Sequence, residues 1–465
     1  MQFLLRLELV VRALRFQSQR IKSNANSLLF LSGSQINSLI QNKNLKHEEF
    51  ASLLIEHVEN TDNYLRSYVS FKPEYLIDYS RKLDQAVANG DELGALSGFA
   101  ISVKDIFNTN DFATQMGSKL LSNFEPGNDA RVVSSLRLDN ALITGKTTTA
   151  EFAVHTPPDT LNPFDSTRLP GTSSTGSAVS VAALMCHGSM CSQTAGSIMR
   201  PASYNGVIGF KPTYGLLPRT GVLKTTDTLD SLGFMANYIE DIDLMFESTR
   251  LRGHNYPSLN GKVENFPKKS AQSKWKVGLV SGPATWRQNS FVSSQFQKFI
   301  SRMPSSEFEL SQVNLRGVFE DAHEIHNLIY AKCLSYYFCA EFEKSRESLS
   351  QSFQRLCEVG KEISAESYAE ALLMQNKIAK GLHEILENYD FLIDLSAADE
   401  APLINSYEPD DHSLIYTMCR VPAISLPMLL GANHLPVGIQ VIGPQFSDKR
   451  LLQFSHYLME NFIEN

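Results

Sequence analysis

The chain of 465 residues holds only two tryptophans and six cysteines, and the cysteines have no paired spacing. That excludes a disulfide framework and predicts free thiols in a reducing, cytoplasmic setting. No apolar run approaches the roughly 20 residues of a membrane-spanning helix, so no membrane partner is expected. An excess of positive charge is missing too: 42 Lys and Arg face 50 Asp and Glu, a formal net charge of −8. A nucleic-acid surface is therefore not the main business of the chain. There is no internal repeat and no low-complexity tract. A hydrophobic share of 43% and a charged share of 20% are those of an ordinary globular protein. The length suits one large α/β domain or two or three smaller ones.

Cofactor motifs are missing in a more specific way. Gly145-Lys146-Thr147 ends like a phosphate-binding loop, but the glycine required five places before Gly145 is Asn140. In His323-Glu324-Ile325-His326 the second histidine comes one residue too early to share a metal with the first. Cys186, His187 and Cys191 lack a second cluster at ligand spacing. Neither a cofactor nor a metal is expected.

The first 33 residues stand apart, with Arg6, Arg12, Arg15, Arg20 and Lys22 against the single acid Glu8. Such a beginning suits organellar targeting or a plain terminal extension, since the arginines do not gather on one helical face. Residues 34–465 are expected to form a single domain, with a core over 90–245, a helix-rich stretch over 249–388 and a return to the core over 389–465. Ser34 or Asn37 can cap a short helix, and apolar spacing predicts helices over 45–60 and 73–88. His57 falls beside the apolar stripe and reads as structural. From Phe99 to about Asn237 strand-like and helical runs alternate through Ile101–Val103, Val132–Leu138, Leu142–Thr144, Val179–Met185 and Gly206–Phe210. This alternation predicts an α/β fold, a large mixed and mostly doubly wound sheet with helices on both faces. Further on, a strand over 275–280, a long helix over 321–349 and a last helix from Ser447 to about Asn461 are expected.

What the chain has in quantity is small polar residues between Lys146 and Pro218. Two turns, Leu169-Pro170-Gly171-Thr172-Ser173-Ser174-Thr175-Gly176-Ser177 and Ser192-Gln193-Thr194-Ala195-Gly196-Ser197, are joined by an uncharged run. Turns of this composition let backbone amides approach a ligand, and a following helix adds unpaired N–H donors. Composition alone also fits plain loops. A third element upstream tips the balance: Lys104 ends the alternating run Phe99–Val103. Burial there pushes a lysine toward a usable base.

Lys104, Ser173 and Ser197 with their surroundings resemble the Ser–cis-Ser–Lys arrangement of the amidase signature family. The resemblance continues through Asn128–Val133, Ile143–Phe152, Gly206–Gly215, Asp227–Gly233, Val421–Pro427 and Leu435–Gln440. It implies that Ser197 attacks an amide carbonyl, Ser173 relays the proton and Lys104 is the base, through an acyl-enzyme that releases ammonia. It further implies a cis Thr172–Ser173 bond, and an oxyanion hole made by the backbone N–H groups of Thr194, Ala195, Gly196 and Ser197. Ser174 is the rival for the relay. Two glycines of the usual pattern are Thr172 and Thr175 here, and another is Ala195.

Gln193 and the placement of Arg200 resemble the malonamidase-like branch, in which this arginine receives a substrate carboxylate. Arg200, Gln193 and Thr172 are the expected substrate-binding residues, with an ion pair to an acidic neighbour the equal alternative for Arg200. The expected activity is hydrolysis of a small linear amide, one bearing a carboxylate among the options, by a free-standing enzyme or a homodimer. The alternatives are the glutaminase (A-type) subunit of a tRNA-dependent amidotransferase and a non-catalytic scaffold.

Overall fold

The structure, a computed structural model, describes residues 27–253, 257–267, 273–282, 288–406, 408–409 and 411–462. The targeting expectation falls almost wholly on residues 1–26, outside this set. All eleven strands belong to one sheet: β1 (Tyr68–Phe71), β2 (Ala100–Lys104), β3 (Leu142–Thr147), β4 (Gly188–Gln193), β5 (Ile208–Lys211), β6 (Ser231–Ala236), β7 (Trp275–Ser281), β8 (Phe308–Asn314), β9 (Phe391–Leu395), β10 (Ala423–Leu430) and β11 (Pro436–Ile442). Their order is β1-β3-β2-β4-β6-β5-β10-β11-β9-β7-β8. β3, β2 and β4 run parallel, as do β9, β7 and β8, while the middle from β4 to β9 is antiparallel.

Alternate side chains of a strand point to opposite faces. In β2, Ile101 and Val103 enter the apolar cluster that contains Val132, Ile242 and Leu451. Ala100 joins Leu54 and Val179 on the other side. Both faces are thus covered by helices, which is why β2 is buried along its whole length. This is a mixed α/β fold whose central strands are buried along most of their length. Among the described residues no helix is long and apolar enough to cross a membrane.

The early helices follow their apolar spacing. Gly33–Gln41 starts from a capping box in which Ser32 accepts from Gln35 N, ahead of the expected caps. His47–Leu65 and Pro73–Asn89 follow, the latter stopped by Gly90 at φ +87°. His57 is buried and its Nε2–H donates to Ala183 O at 2.8 Å. The long helix expected over 321–349 is instead Ala322–Tyr337, then Cys339–Lys344, then a 3-10 turn at Arg346–Ser348. The bend lets Phe338 and Phe342 turn into a satellite core with Phe152 and Phe353, so tertiary packing overrides helical propensity there.

A buried ion pair locks the end of β2 to β3. Lys146 Nζ lies 2.9 Å from Asp105 Oδ1, with the side chains 0% and 1% exposed. Lys146 also donates to Thr114 Oγ1 at 2.8 Å and Ala113 O at 3.1 Å, so its three N–H bonds are all spent. Burial pulls the lysine down and pushes the carboxyl up, and their mutual attraction opposes both shifts. Lys146→Met, which leaves Asp105 buried without its cation, should cost about 3–5 kcal/mol of stability. Urea unfolding would show this as a lowered midpoint, and Lys146→Met with Asp105→Asn should recover part of it. An unchanged midpoint for the single variant would refute the pair's role.

Candidate active site

Three pieces of chain converge at the ends of β2 and β4. Lys104 closes β2 with its side chain 0% exposed. Its Nζ contacts three hydroxyls: Ser173 Oγ at 2.9 Å, Ser174 Oγ at 3.0 Å and Ser192 Oγ at 3.0 Å. No carboxylate pairs with it among the described residues. Burial brings its pKa down from 10.5 to about 7, with Cys191 and Asp230 acting in the opposite direction. All three partners are hydroxyls, which can accept from the amine and, where their own proton is free, donate to its lone pair once it is neutral. Ser174 gives its single proton to Ser192 O at 3.1 Å, so it can only accept from Lys104. Ser173 has no such second acceptor among the described residues.

The loop that carries Ser173 is shaped by its neighbours. The Thr172–Ser173 bond is cis, and no other cis bond occurs among the described residues. Gly171 sits at φ +90°, and a Cβ there would come within 2.8 Å of Pro201 Cα, so this position requires glycine. Thr175, which stands where the family pattern has glycine, opens the helix Thr175–Ala182 and donates from Oγ1 to Gly171 O at 2.7 Å. The substitution tightens the loop.

Ser197 lies in the turn between β4 and the helix Met199–Tyr204. It is partly exposed, and its hydroxyl has no hydrogen-bond partner among the described residues. None of those residues accepts from the backbone N–H groups of Thr194, Ala195, Gly196 or Ser197 either. The carbonyls of the turn, by contrast, are occupied. His326 Nε2 lies 3.0 Å from Thr194 O, and Thr417 Oγ1 donates to Ala195 O at 2.7 Å. Ala195 is not at positive φ, so alanine is no burden there.

The expected substrate-binding residues are engaged with other parts of the protein. Gln193 is 0% exposed and lies behind the turn. Its Oε1 accepts from Ile198 N at 2.8 Å and Met199 N at 3.0 Å, and its Nε2 donates to Thr417 Oγ1 at 2.9 Å. It shapes the turn through both ends of its amide. Arg200 takes the ion-pair alternative: Nη1 lies 2.5 Å from Asp411 Oδ1 and Nη2 3.4 Å from Glu408 Oε2. Nη2 also donates to Thr172 O, while Thr172 N donates to Glu408 Oε1 at 3.0 Å. The two carboxylates hold the guanidinium pKa above its ordinary value against the effect of burial. Asp411 also abuts the turn that carries Ser197, since a Cβ on Gly196 would come within 2.0 Å of its Oδ1.

Sequence reasoning missed Glu408, Asp411, Thr417 and His326. Each acts across 100 residues or more of chain, and no local pattern marks them. One further cluster imitates a catalytic site: His47 Nδ1 lies 2.8 Å from Asp84 Oδ1 and its Nε2 2.7 Å from Ser97 Oγ. His47 is 0% and Ser97 2% exposed, so this chain of hydrogen bonds ties helices together and meets no substrate.

A mixed α/β sheet gathers a lysine and serines at its strand ends, and the family whose profile fits this chain is one of hydrolases acting on carbon–nitrogen bonds. The amidase family profile matches residues 49–452, and the chain belongs to that family. Among curated relatives, an A-type subunit of glutamyl-tRNA(Gln) amidotransferase from Clostridium acetobutylicum is 27% identical over 93% of this chain and 99% of its own length. The A-type subunit of the same enzyme from Archaeoglobus fulgidus is 30% identical over 89% of this chain and 95% of its own. A solved amidase superposes with a TM-score of 0.83 at 22% identity, covering 93% of this chain and all of the other, which shows the shared fold.

Proposed function

We propose that the chain hydrolyses a primary carboxamide and releases ammonia, with Ser197 as nucleophile, Ser173 as relay and Lys104 as base. The observation that carries this reading is Lys104, wholly buried, with a pKa brought to about 7 and a 2.9 Å contact to Ser173. A serine attacks an amide only when a base takes its proton. Ser197 Oγ bonds to the carbonyl carbon and gives its proton to Ser173 Oγ, which gives its own to Lys104 Nζ. The carbonyl oxygen becomes an oxyanion and receives the unpaired N–H groups of the 194–197 turn. The tetrahedral intermediate collapses, and the protons return through Ser173 to the leaving nitrogen. Water then repeats the sequence on the acyl-enzyme. Ser174 is unsuited to the relay because its proton is held by Ser192 O.

For the substrate, the names of the curated relatives favour glutamine as amide donor within an amidotransferase, ahead of a free-standing enzyme for acid-amides. The charges beside Ser197 point the same way. Arg200 is shared between Asp411 and Glu408, which leaves one cation against two carboxylates. A substrate bearing only a carboxylate meets net repulsion there, whereas an amino acid brings an ammonium as well. In this reading partner chains and tRNA complete the assembly, and the expected independence from nucleic acid gives way. Ammonia release from glutamine should exceed that from 4-carbamoylbutanoate, the same amide without the ammonium, by at least about tenfold. It should also rise when the other chains of an amidotransferase are added. Faster release from 4-carbamoylbutanoate by the chain alone would restore the free-standing reading.

A further inference from the structure

We infer that His326, on the helix Ala322–Tyr337 outside the motif-bearing core, is a positioning residue that aims an oxyanion-hole N–H by holding the opposite end of the same peptide group. The inference rests on the amidase reading. A trans peptide unit is planar, with its C=O and N–H pointing in opposite directions. Thr194 O and the Ala195 N–H belong to one such unit. Fixing the carbonyl therefore fixes where the N–H points.

A backbone carbonyl only accepts, so the contact between His326 Nε2 and Thr194 O at 3.0 Å requires the hydrogen on Nε2. The ring is 3% exposed, and burial brings its pKa from 6.5 to about 4, so the imidazole is neutral across the working range. Its Nδ1 is buried without a hydrogen-bond partner among the described residues, so the bond to the Thr194 carbonyl is made from the other nitrogen. Tyr330, one turn along the helix, packs on the ring with centroids 5.7 Å apart.

The next peptide is held in the same way from another direction. Thr417 donates to Ala195 O at 2.7 Å, which aims the Gly196 N–H, and Gln193 Nε2 donates to Thr417 in turn. On the side-chain level Thr194 Oγ1 donates to Asp230 Oδ1 at 3.1 Å. Two successive carbonyls are thus drawn outward by donors from separate elements, and the N–H groups behind them have no partner among the described residues. A helix of the 249–388 region thereby sets one donor of the core's anion-binding turn.

The test compares His326→Leu, which removes the donor, with His326→Gln, which returns an N–H to nearly the same place. A fluorophosphonate probe forms a bond from Ser197 Oγ to phosphorus, expels fluoride and seats its phosphoryl oxygen in the turn, so it reports on the turn whatever the natural substrate is. Labelling of His326→Leu should slow by about 10–100-fold, since loss of a whole oxyanion donor costs about 10²–10³. His326→Gln should regain most of that rate. The pH midpoint of labelling, set by Lys104, should be the same in all three proteins, which a general loosening of the site would not preserve. A crystal structure of His326→Leu should show the Thr194–Ala195 peptide rotated. A wild-type rate in His326→Leu, no rescue by His326→Gln, or an unmoved peptide plane would each overturn the inference. A wild-type protein that resists labelling, or a label that survives Ser197→Ala, would instead strike the amidase reading, and the peptide plane would still decide the role of His326.

Discussion

Ser197→Ala is expected to lower amide hydrolysis by about 10⁴–10⁶-fold while leaving the folded protein nearly as stable as before. Both halves come from the same placement. The hydroxyl is partly exposed and has no partner among the described residues, so its removal breaks no contact and changes stability by no more than about 0.5 kcal/mol. All that is lost is the hydroxyl proposed as nucleophile. The residues around it act as a unit, so losses within the set do not add. Ser173→Ala should therefore fall within about tenfold of Ser197→Ala, and the double variant should be little worse than either. Ser174→Ala should lose far less, because its proton is committed to Ser192 O and its oxygen serves Lys104 only as an acceptor. Ammonia release for the three variants, with probe labelling read by intact mass, orders them directly. Residual activity in Ser197→Ala near that of the wild type would remove this serine from the chemistry. A Ser174→Ala variant as dead as Ser173→Ala would exchange their roles.

The parts of this site that can be read from the chain are those written in consecutive residues. Lys104 is announced by the strand before it, and the turns around Ser173 and Ser197 by their small residues, because such features are settled by neighbours in sequence. The helices at His47–Leu65 and Pro73–Asn89 are legible for the same reason. Legibility ends where a side chain answers to a distant one. Arg200 reads equally as a carboxylate receptor and as half of an ion pair, and only the fold shows that Asp411 and Glu408, far along the chain, lie against it. Gln193 reads as a pocket residue, and its bonds to Thr417 and to the amides of Ile198 and Met199 have no local signal. The spacing of His323 and His326 speaks only to metal geometry and says nothing of the backbone carbonyl that His326 reaches. β8 leaves little trace in the sequence because only Phe308 and Val313 of its seven residues are buried, too weak a pattern to stand out beside the helices around it.

Lys104 should impose an acid limb on hydrolysis with a midpoint of about 7. Only the neutral amine has a lone pair to receive the serine proton, so below the midpoint the rate should fall about tenfold per pH unit. The same shift writes a second signature in stability, of predictable sign. Above pH 10.5 the amine is neutral in the folded and unfolded chain alike, and burial costs nothing extra. Between about 7 and 10.5 the unfolded chain binds a proton that the folded one refuses, so stability climbs as pH rises through this window. Below about 7 both forms are charged, and the folded state carries the full cost of a buried cation, about 5 kcal/mol. Other buried groups titrate nearby, Lys211 among them with a pKa lowered to about 8, so the comparison must be made against Lys104→Met. Relative to that variant, urea unfolding should show the wild type gaining about 3 kcal/mol between about pH 7 and 9.5, while the variant hydrolyses nothing at either pH. A rate profile with its midpoint above about 9, or wild-type and variant stabilities that run parallel across the window, would mean that the lysine stays charged. A charged lysine could receive no proton from Ser173, and amide hydrolysis at this site would need another base.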